Sequence, residues 1–197
     1  PAGEKIEYGI PADNPPDRFP EDLLKLGLWA QIGSRIVPGR SAKLRLPEAA
    51  RAALQNFSKT GKMRSGSGEL ELDTKNTILR FQSPKSEGVV MRRGRCDIRF
   101  LSVQEVDSFA SISVHSLDDK PLRESRSILL FHLTNVANTA MRFSSADRTL
   151  LERKGRLPLL AAVGSARIRL NWPVGQVEAL ALDGSVLGKI PVEKKNG

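Results

Sequence analysis

The sequence predicts a mainly β protein, an all-β sandwich or barrel that follows a short helical connector. From Glu69 onward, short strand-like segments alternate with turn residues, which is typical of sandwiches and barrels. Before Glu69, proline-rich and helix-like segments dominate. The length of 197 residues allows one ample β-sandwich or two small domains. It falls short of the roughly 250 residues of a complete (β/α)₈ barrel.

The predicted connector covers residues 1–65 and begins with a proline-rich arm. Five prolines in the first 20 residues block both regular helix and central strand, and so indicate an extended arm or linker. Residues 21–37 then carry apolar side chains at partly helical spacing, which predicts an amphipathic helix. A strand over 41–46, a helix from Pro47 to Phe57 and a glycine-rich loop over 59–68 complete the region.

The predicted β domain covers residues 66–193. Asp183-Gly184 is a strong hairpin signal, because both positions accept the positive φ that tight turns need. We expect Leu180, Leu182 and Val186 beside this turn to share a core-facing cluster. The strand candidates are Glu69 to Asp73, Ile78 to Gln82, Gly88 to Arg92, Asp97 to Glu105, Ala110 to Ser116, Ser127 to Val136, Ser165 to Leu170, Val177 to Leu182 and Ser185 to Pro191.

The chain is strongly basic, with 31 lysines and arginines against 22 aspartates and glutamates and a net charge of +9. Such a surface favours polyanions, whether nucleic acid, anionic polysaccharide or lipid, although an ordinary solvated basic surface is the alternative. Arg92, Arg93 and Arg95 form the densest cluster, and their guanidinium groups match sulfate, carboxylate or phosphate. Nucleic acid ranks behind polysaccharide, because neither interleaved aromatic residues nor a recognition helix accompanies the basic residues.

Residues that carry catalysis or bind metals lack the spacing that these functions require. Cys96 is alone, which excludes an intrachain disulfide and a cysteine zinc cluster and favours a buried, inert thiol. His115 and His132 have no metal-ligand spacing, and no nucleophile elbow or nucleotide-binding fingerprint is present. Glu69 and Glu71 alternate with leucines and are expected on the solvent face. The sequence therefore predicts no catalytic residue, no metal and no cofactor.

Aromatic residues make up 5% of the chain, which is thin for the flat stacking platform of a sugar-binding site. Trp172, between Asn171 and Pro173 at a strand end, is the best exposed candidate for contact with a ligand, with a packing role as the alternative. Trp29 is expected to anchor the core or a neighbouring domain, and Tyr8 to pack against the folded body.

The ends of the sequence are uninformative about anchoring. No apolar run reaches the roughly 18 residues of a membrane helix, so no membrane span is predicted. Residues 1–4 lack a basic segment followed by an apolar one, so a signal peptide has been removed or never belonged to this stretch. The polar tail over 194–197 is expected to fray.

Several motifs, in their order along the chain, resemble one class of large bacterial glycoside hydrolases. Proteins of this class carry a C-terminal β-sandwich after a catalytic (β/α)₈ barrel. The resemblance covers about residues 66–193, and a weaker similarity to the connector between barrel and sandwich extends over Asp22 to Leu46. The matching segments are Gly68 to Met91, Phe109 to Leu122 with its Ser-Leu-Asp-x-x-Pro-Leu turn, Ser125 to Leu130, Asn138 to Met141, Gly155 to Leu160 and Val177 to Val192.

The chain departs from the class pattern at two positions. Leu72 precedes Asp73 where the class usually has a tryptophan. Ala140 replaces the glycine of an Asn-Thr-Gly-Met loop, although Phe143 keeps the aromatic residue that often follows. These differences indicate a divergent member of the class.

The resemblance implies an antiparallel, jelly-roll-like β-sandwich that acts as a non-catalytic accessory domain. In such proteins the catalytic acids belong to the barrel, so the expected role is to cover and orient a catalytic barrel domain. Polysaccharide binding is a second expected role, which the charge would direct to anionic glycans. A secreted or periplasmic location is implied as well. A stand-alone protein-interaction or adhesion module, and a non-specific polyanion binder, stay open as alternatives.

Overall fold

The computed structural model describes residues 5–39, 44–146 and 148–193. Two helices and seventeen strands occur in this part of the chain. In chain order they are β1 (Lys5–Pro11), α1 (Glu21–Leu26), β2 (Gln31–Val37), α2 (Glu48–Thr60), β3 (Lys62–Arg64), β4 (Leu70–Asp73), β5 (Ile78–Gln82), β6 (Ser86–Met91), β7 (Gly94–Asp97), β8 (Leu101–Val106), β9 (Ala110–Ser116), β10 (Ile128–Leu133), β11 (Val136–Thr139), β12 (Arg142–Phe143), β13 (Leu151–Arg153), β14 (Arg156–Ala161), β15 (Ala166–Leu170), β16 (Val177–Leu180) and β17 (Val186–Ile190).

The strands of these described ranges form six separate sheets. The largest is an antiparallel six-stranded sheet with the order β10-β9-β6-β5-β4-β3. A three-stranded antiparallel sheet has the order β15-β8-β7. Three antiparallel two-stranded ribbons, β11–β14, β12–β13 and β16–β17, and one parallel pair, β1–β2, make up the rest. The predicted mainly β fold with antiparallel sheets is confirmed, and none of these sheets closes on itself.

The main hydrophobic core draws side chains from both of the larger sheets. Alternate residues of a strand share one face. In β6 that face carries Glu87, Val89 and Met91, and all three are buried. Leu101 and Val103 of β8 are buried in the same cluster. Since full burial of each such apolar side chain contributes about 1.5–3 kcal/mol, the cluster holds the six-stranded and the three-stranded sheets together.

A smaller hydrophobic cluster lies in the N-terminal region, where β1 and β2 pair in parallel. The prediction of an extended arm is wrong for residues 5–11. No proline interrupts the strand before its last residue, Pro11, and Ile6 and Tyr8 alternate into the cluster. Tyr8 is buried as expected, with its ring centroid 5.8 Å from that of Phe19. Residues 1–4 of the predicted arm lie outside the described part of the chain.

The predicted helix over 21–37 is wrong beyond Leu26. Helix α1 ends there, and residues 31–37 form β2 instead. The β-branched residues of this segment favour a strand, and its partner β1 lies 26 positions earlier in the register. Trp29, in the turn between them, packs against the N-terminal cluster and lines a small cavity with Met63. This placement agrees with the anchoring role expected of Trp29.

The second predicted helix is confirmed. Helix α2 spans Glu48–Thr60, with Pro47 at its N-cap and Gly61 in the left-handed conformation at its C-cap. The predicted strand over 41–46 is wrong where it can be described, because residues 44–46 adopt no regular structure; 41–43 lie outside the described residues. The predicted loop over 59–68 is also wrong in part. Its residues 62–64 form β3, which buries Met63.

Several strand boundaries differ from the prediction. The candidate over 97–105 is interrupted, because Asp97 is the last residue of β7 and β8 begins only at Leu101. The candidate over 127–136 ends at Leu133. Strands β12, β13 and β14 were not predicted. The Asp183-Gly184 hairpin is confirmed between β16 and β17, and Gly184 has a φ of +86°.

The predicted core-facing cluster beside that hairpin is wrong. Leu180, Leu182 and Val186 are all exposed. Strands β16 and β17 pair with each other alone among the described strands, so no further strand covers their apolar side chains. The predicted tail over 194–197 lies outside the described residues.

Candidate functional site

Four turns that are distant in sequence line a cleft of about 480 Å³. They follow β3, β5, β7 and β9. Three arginines face the cleft, and an aromatic ring and two prolines form its apolar part: Arg64, Arg99, Arg123, Phe100, Pro84 and Pro121. Glu69 lines the same cleft, so its wall carries three positive charges against one negative charge.

Arg64 ends β3 and is fixed by the turn that follows. Its Nε donates to the backbone carbonyl of Gly68 at 3.0 Å. Gly68 has a φ of +77°, which favours glycine. The Ser65 hydroxyl accepts the Leu70 backbone N–H at 3.0 Å and closes the turn. These bonds hold the turn, while the terminal nitrogens of Arg64 have no salt-bridge partner among the described residues.

The turn between β7 and β8 presents Arg99 and Phe100. Glu87 reaches this turn from β6, and its Oε1 accepts the backbone N–H of Phe100 at 2.6 Å and that of Leu101 at 2.5 Å. The Arg99 guanidinium lies 4.8 Å from the centroid of the Phe100 ring, a cation–π contact that keeps the cation beside the cleft. Arg99 makes no salt bridge within the described ranges.

The Glu87 carboxyl is an unusual support, because it is fully buried. Burial raises its pKa, and the backbone N–H groups of the turn together with the positive charge of Arg99 partly oppose that effect. Its second oxygen, Oε2, has no hydrogen-bond partner in the described part of the chain. Glu87 belongs to the six-stranded sheet, and Phe100 directly precedes β8 of the three-stranded sheet. The hydrogen bond between them therefore fixes the position of Phe100 relative to the larger sheet.

The fourth wall comes from the turn after β9. The Leu122 backbone N–H donates to the Pro84 carbonyl at 2.8 Å, which joins this turn to the one after β5. Asp118 braces the turn by accepting the Arg126 backbone N–H at 2.9 Å and the Ser116 hydroxyl at 3.0 Å. These bonds hold the pKa of Asp118 well below its usual range. The Ser-Leu-Asp-x-x-Pro-Leu motif thus fixes one edge of the cleft.

The basic cluster predicted from the sequence lies elsewhere. Arg92 and Arg93 are exposed at the turn between β6 and β7. Arg95 is exposed in β7, 3.5 Å from the carboxylate of Asp97. Strand β6 separates Arg92 and Arg93 from Pro84, since Arg92 follows its last residue. Six residues at about 3.3 Å each make that separation roughly 20 Å.

Trp172 is half-buried and packs against the main core. Its ring meets that of Phe100 edge to face, with 5.4 Å between the centroids. It therefore backs the aromatic wall of the cleft without lining the cleft. The three cleft arginines were not singled out from the sequence, because 24 to 35 positions separate each from the next and no local motif joins them.

The cysteine of the chain lies outside the cleft wall. Cys96 is buried as expected; Arg80 Nε lies 3.1 Å from its Sγ, and burial raises the pKa of the thiol. No group of three or more His, Cys, Asp or Glu side chains within residues 5–39, 44–146 and 148–193 is placed to hold a metal ion. Helices α1 and α2, the two in the described ranges, are too short or too polar to cross a membrane.

A second surface feature is apolar. The ribbons β11–β14 and β16–β17 expose large hydrophobic side chains, and none of these belongs to either hydrophobic cluster. They are Val136, Leu157, Leu159, Leu160, Leu180, Val186, Leu187 and Ile190.

Comparison with known proteins adds no relative: no protein-family model, no curated protein and no solved structure matches this chain.

Proposed function

We propose that this chain is a non-catalytic accessory β-sandwich, and that the ribbons β11–β14 and β16–β17 pack it against a catalytic barrel domain of the glycoside hydrolase type. The observation that carries the proposal is the exposed apolar character of these ribbons. Leu157, Leu159 and Leu187 are 77%, 60% and 70% exposed. Large apolar side chains exposed together on such ribbons are typical of interaction sites on soluble proteins.

The small size of these sheets also supports packing against a partner. A two-stranded ribbon is marginally stable in water unless a further strand or surface covers it. In each of these ribbons the two strands pair only with each other among the described strands. Burying a leucine side chain contributes about 1.5–3 kcal/mol, so a partner surface over both ribbons would supply the missing stabilisation.

The identity of the partner comes from the sequence resemblance. In the class that the motifs of residues 66–193 resemble, a catalytic barrel precedes the sandwich. The shared core of the six-stranded and three-stranded sheets fits two sheets packed face to face. Following the same resemblance, the proposal places the protein outside the cytoplasm, secreted or periplasmic.

The test compares this chain in isolation with the whole product of its gene. Leu159→Ser and Leu187→Ser should change the melting temperature of the isolated chain little, because both side chains are exposed there. In the whole product the same substitutions should cost about 2 kcal/mol each, as buried leucines do. Leu117→Ser is the matched control, since Leu117 is 59% exposed but lies outside the ribbons.

Equal effects in both proteins would contradict packing against a further domain. A gene product without a barrel would contradict it as well. In that case a stand-alone module that binds a separate protein through the same ribbons becomes the better account.

A further inference from the structure

We propose that the cleft lined by Arg64, Arg99 and Arg123 binds an anionic sugar, with its carboxylate, sulfate or phosphate group held by the guanidinium groups. This inference goes beyond the packing role and does not rest on it. The cleft and the apolar ribbons are built from different elements: none of the strands β11, β14, β16 and β17 contributes a residue to the cleft wall.

The three arginines converge although their chain positions are far apart. Each stands at or beside a different turn, and the volume of about 480 Å³ lies within the range of small-molecule sites. Guanidinium groups bind carboxylate, sulfate and phosphate through paired, charge-assisted hydrogen bonds. Arg64 and Arg99 make no salt bridge to any described residue, so their guanidinium groups can pair with a ligand. The positive charge of Arg99 also acts on the buried Glu87 carboxyl. Arg123 differs, because its Nε donates to the Glu124 carboxylate at 2.9 Å and forms a salt bridge with it.

The walls of the cleft are held in place before any ligand arrives. Arg64 is fixed to Gly68, and the Arg99-Phe100 turn is fixed by the buried Glu87. Pre-organised donors lose less conformational entropy on binding. This distinguishes the cleft from Arg92 and Arg93, which stand on an exposed turn.

The apolar part of the cleft suits a sugar ring. Phe100 and the two prolines offer hydrophobic surface beside the charges, and sugar rings present C–H faces that pack on such surfaces. Glu69 opposes an anion at the same site. Removing the negative charge of Glu69 should therefore strengthen the binding of an anion.

The experiment is a calorimetric or NMR titration of this chain with four probes. They are digalacturonate, a sulfated disaccharide, glucose 6-phosphate and the neutral disaccharide maltose, each at about 0.05 M and about 0.2 M salt. Inorganic sulfate and phosphate serve as further probes, because they separate recognition of a sugar from recognition of a bare anion. We expect saturable binding of at least one anionic sugar and none of maltose.

Two triple variants with the same loss of charge locate the site. Arg64→Gln, Arg99→Gln and Arg123→Gln together should weaken binding at least about tenfold. Arg92→Gln, Arg93→Gln and Arg95→Gln together should change it by less than about twofold, since Arg92 and Arg93 lie across the length of β6 and Arg95, four positions before Arg99 in the chain, already faces the carboxylate of Asp97. If the first triple variant unfolds, Arg99→Gln alone replaces it. Amide shifts at Gly68 and Phe100 in the unchanged protein report on the same cleft.

A charge-neutralising variant should tighten binding, which misfolding cannot imitate. Glu69→Gln should strengthen binding severalfold. Glu105→Gln is its matched control, because Glu105 is exposed near the opposite end of β8 from Phe100. Equal weakening by both arginine triples, binding of every anion that disappears with salt, equal affinity for inorganic and sugar anions, or no binding of any anionic sugar would each overturn the proposal.

Discussion

The buried carboxyl of Glu87 and the backbone N–H of Phe100 join the six-stranded sheet to the three-stranded sheet through a 2.6 Å hydrogen bond. The same carboxyl also accepts the N–H of Leu101. Because Phe100 lines the cleft, this contact relates the stability of the fold to the shape of the candidate site.

Removing the Glu87 carboxyl should strongly destabilise the protein, whereas replacing it by an amide should not. Glu87→Ala leaves the buried Leu101 N–H and the part-buried Phe100 N–H without their acceptor, which should lower the free energy of unfolding by on the order of 3 kcal/mol. Glu87→Gln keeps the accepting oxygen and removes the buried charge. Urea unfolding of both variants at neutral pH measures the difference. A Glu87→Ala variant as stable as the unchanged protein would refute the bridging role.

The stability of the unchanged protein and that of the Glu87→Gln variant should depend differently on pH. Burial raises the pKa of Glu87 in the folded state above its unfolded value of about 4.3. Between these two values the folded protein holds more protons than the unfolded chain, so this group's contribution to stability falls as pH rises through the window. Relative to Glu87→Gln, the unchanged protein should therefore lose stability from about pH 4 upward. Parallel curves for the two proteins would contradict this.

Asp118 should show the opposite dependence. Hydrogen bonds from the Arg126 N–H and neighbouring hydroxyls hold the folded pKa of Asp118 below its unfolded value of about 3.9. Its contribution to stability is present above that unfolded value and is lost as pH falls through the folded pKa. Asp118→Asn should remove this acid-side loss.

The matched control for Asp118 is its neighbour. Asp119 pairs with the exposed Lys85 and does not brace the turn. Asp119→Asn should destabilise the protein less than Asp118→Asn at pH 6, because it removes an exposed ion pair and leaves the hydrogen bonds of the turn in place. Equal effects of the two substitutions, measured by thermal unfolding from pH 2 to 6, would show that the brace is unimportant.

Two glycines with similar backbone angles should respond differently to alanine. Gly155 and Gly184 have φ values of +75° and +86°. A Cβ at Gly155 would lie 2.5 Å from the Thr139 carbonyl oxygen, whereas one at Gly184 would meet nothing within 4 Å. Gly184→Ala should cost about 1 kcal/mol from backbone strain, and Gly155→Ala about 2–4 kcal/mol because overpacking adds to it. Denaturant titration distinguishes these values, and equal costs would refute the close approach.

Ala140 is strained in a way that a single substitution should relieve. It has a φ of +60°, where an alanine side chain is disfavoured. In the class that the sequence resembles, this loop position carries a glycine. Ala140→Gly should stabilise the protein by about 0.5–1 kcal/mol, since the relief of strain exceeds the added entropy of the unfolded chain. A lower melting temperature would contradict this expectation.

Elements defined by local chemistry were predictable from the sequence. Helix α2 depends on Pro47, a run of good helix formers and Gly61, and the β16–β17 hairpin depends on Asp183-Gly184. Elements defined by distant partners were not. Residues 31–37 contain helix-like spacing but pair with β1, so tertiary pairing overrides local pattern.

The candidate site illustrates the same limit. Arg92, Arg93 and Arg95 were predicted because they are close together in sequence, yet they lie on an exposed turn and on the exposed start of β7, away from the cleft wall. The arginines of the cleft are brought together by sheet topology and by the Glu87 contact, and neither leaves a local signal. Trp172, the candidate for ligand contact, is half-buried and packs edge to face against Phe100.

The measurement that tests the proposed function most directly is hydrogen–deuterium exchange of this chain alone and within the whole product of its gene. The account predicts that amides of β11, β14, β16 and β17 exchange quickly in the isolated chain and become at least about a hundredfold slower in the whole product. Amides of β6 and β9 should exchange alike in both. Identical exchange of the ribbons in the two proteins would contradict the packing role.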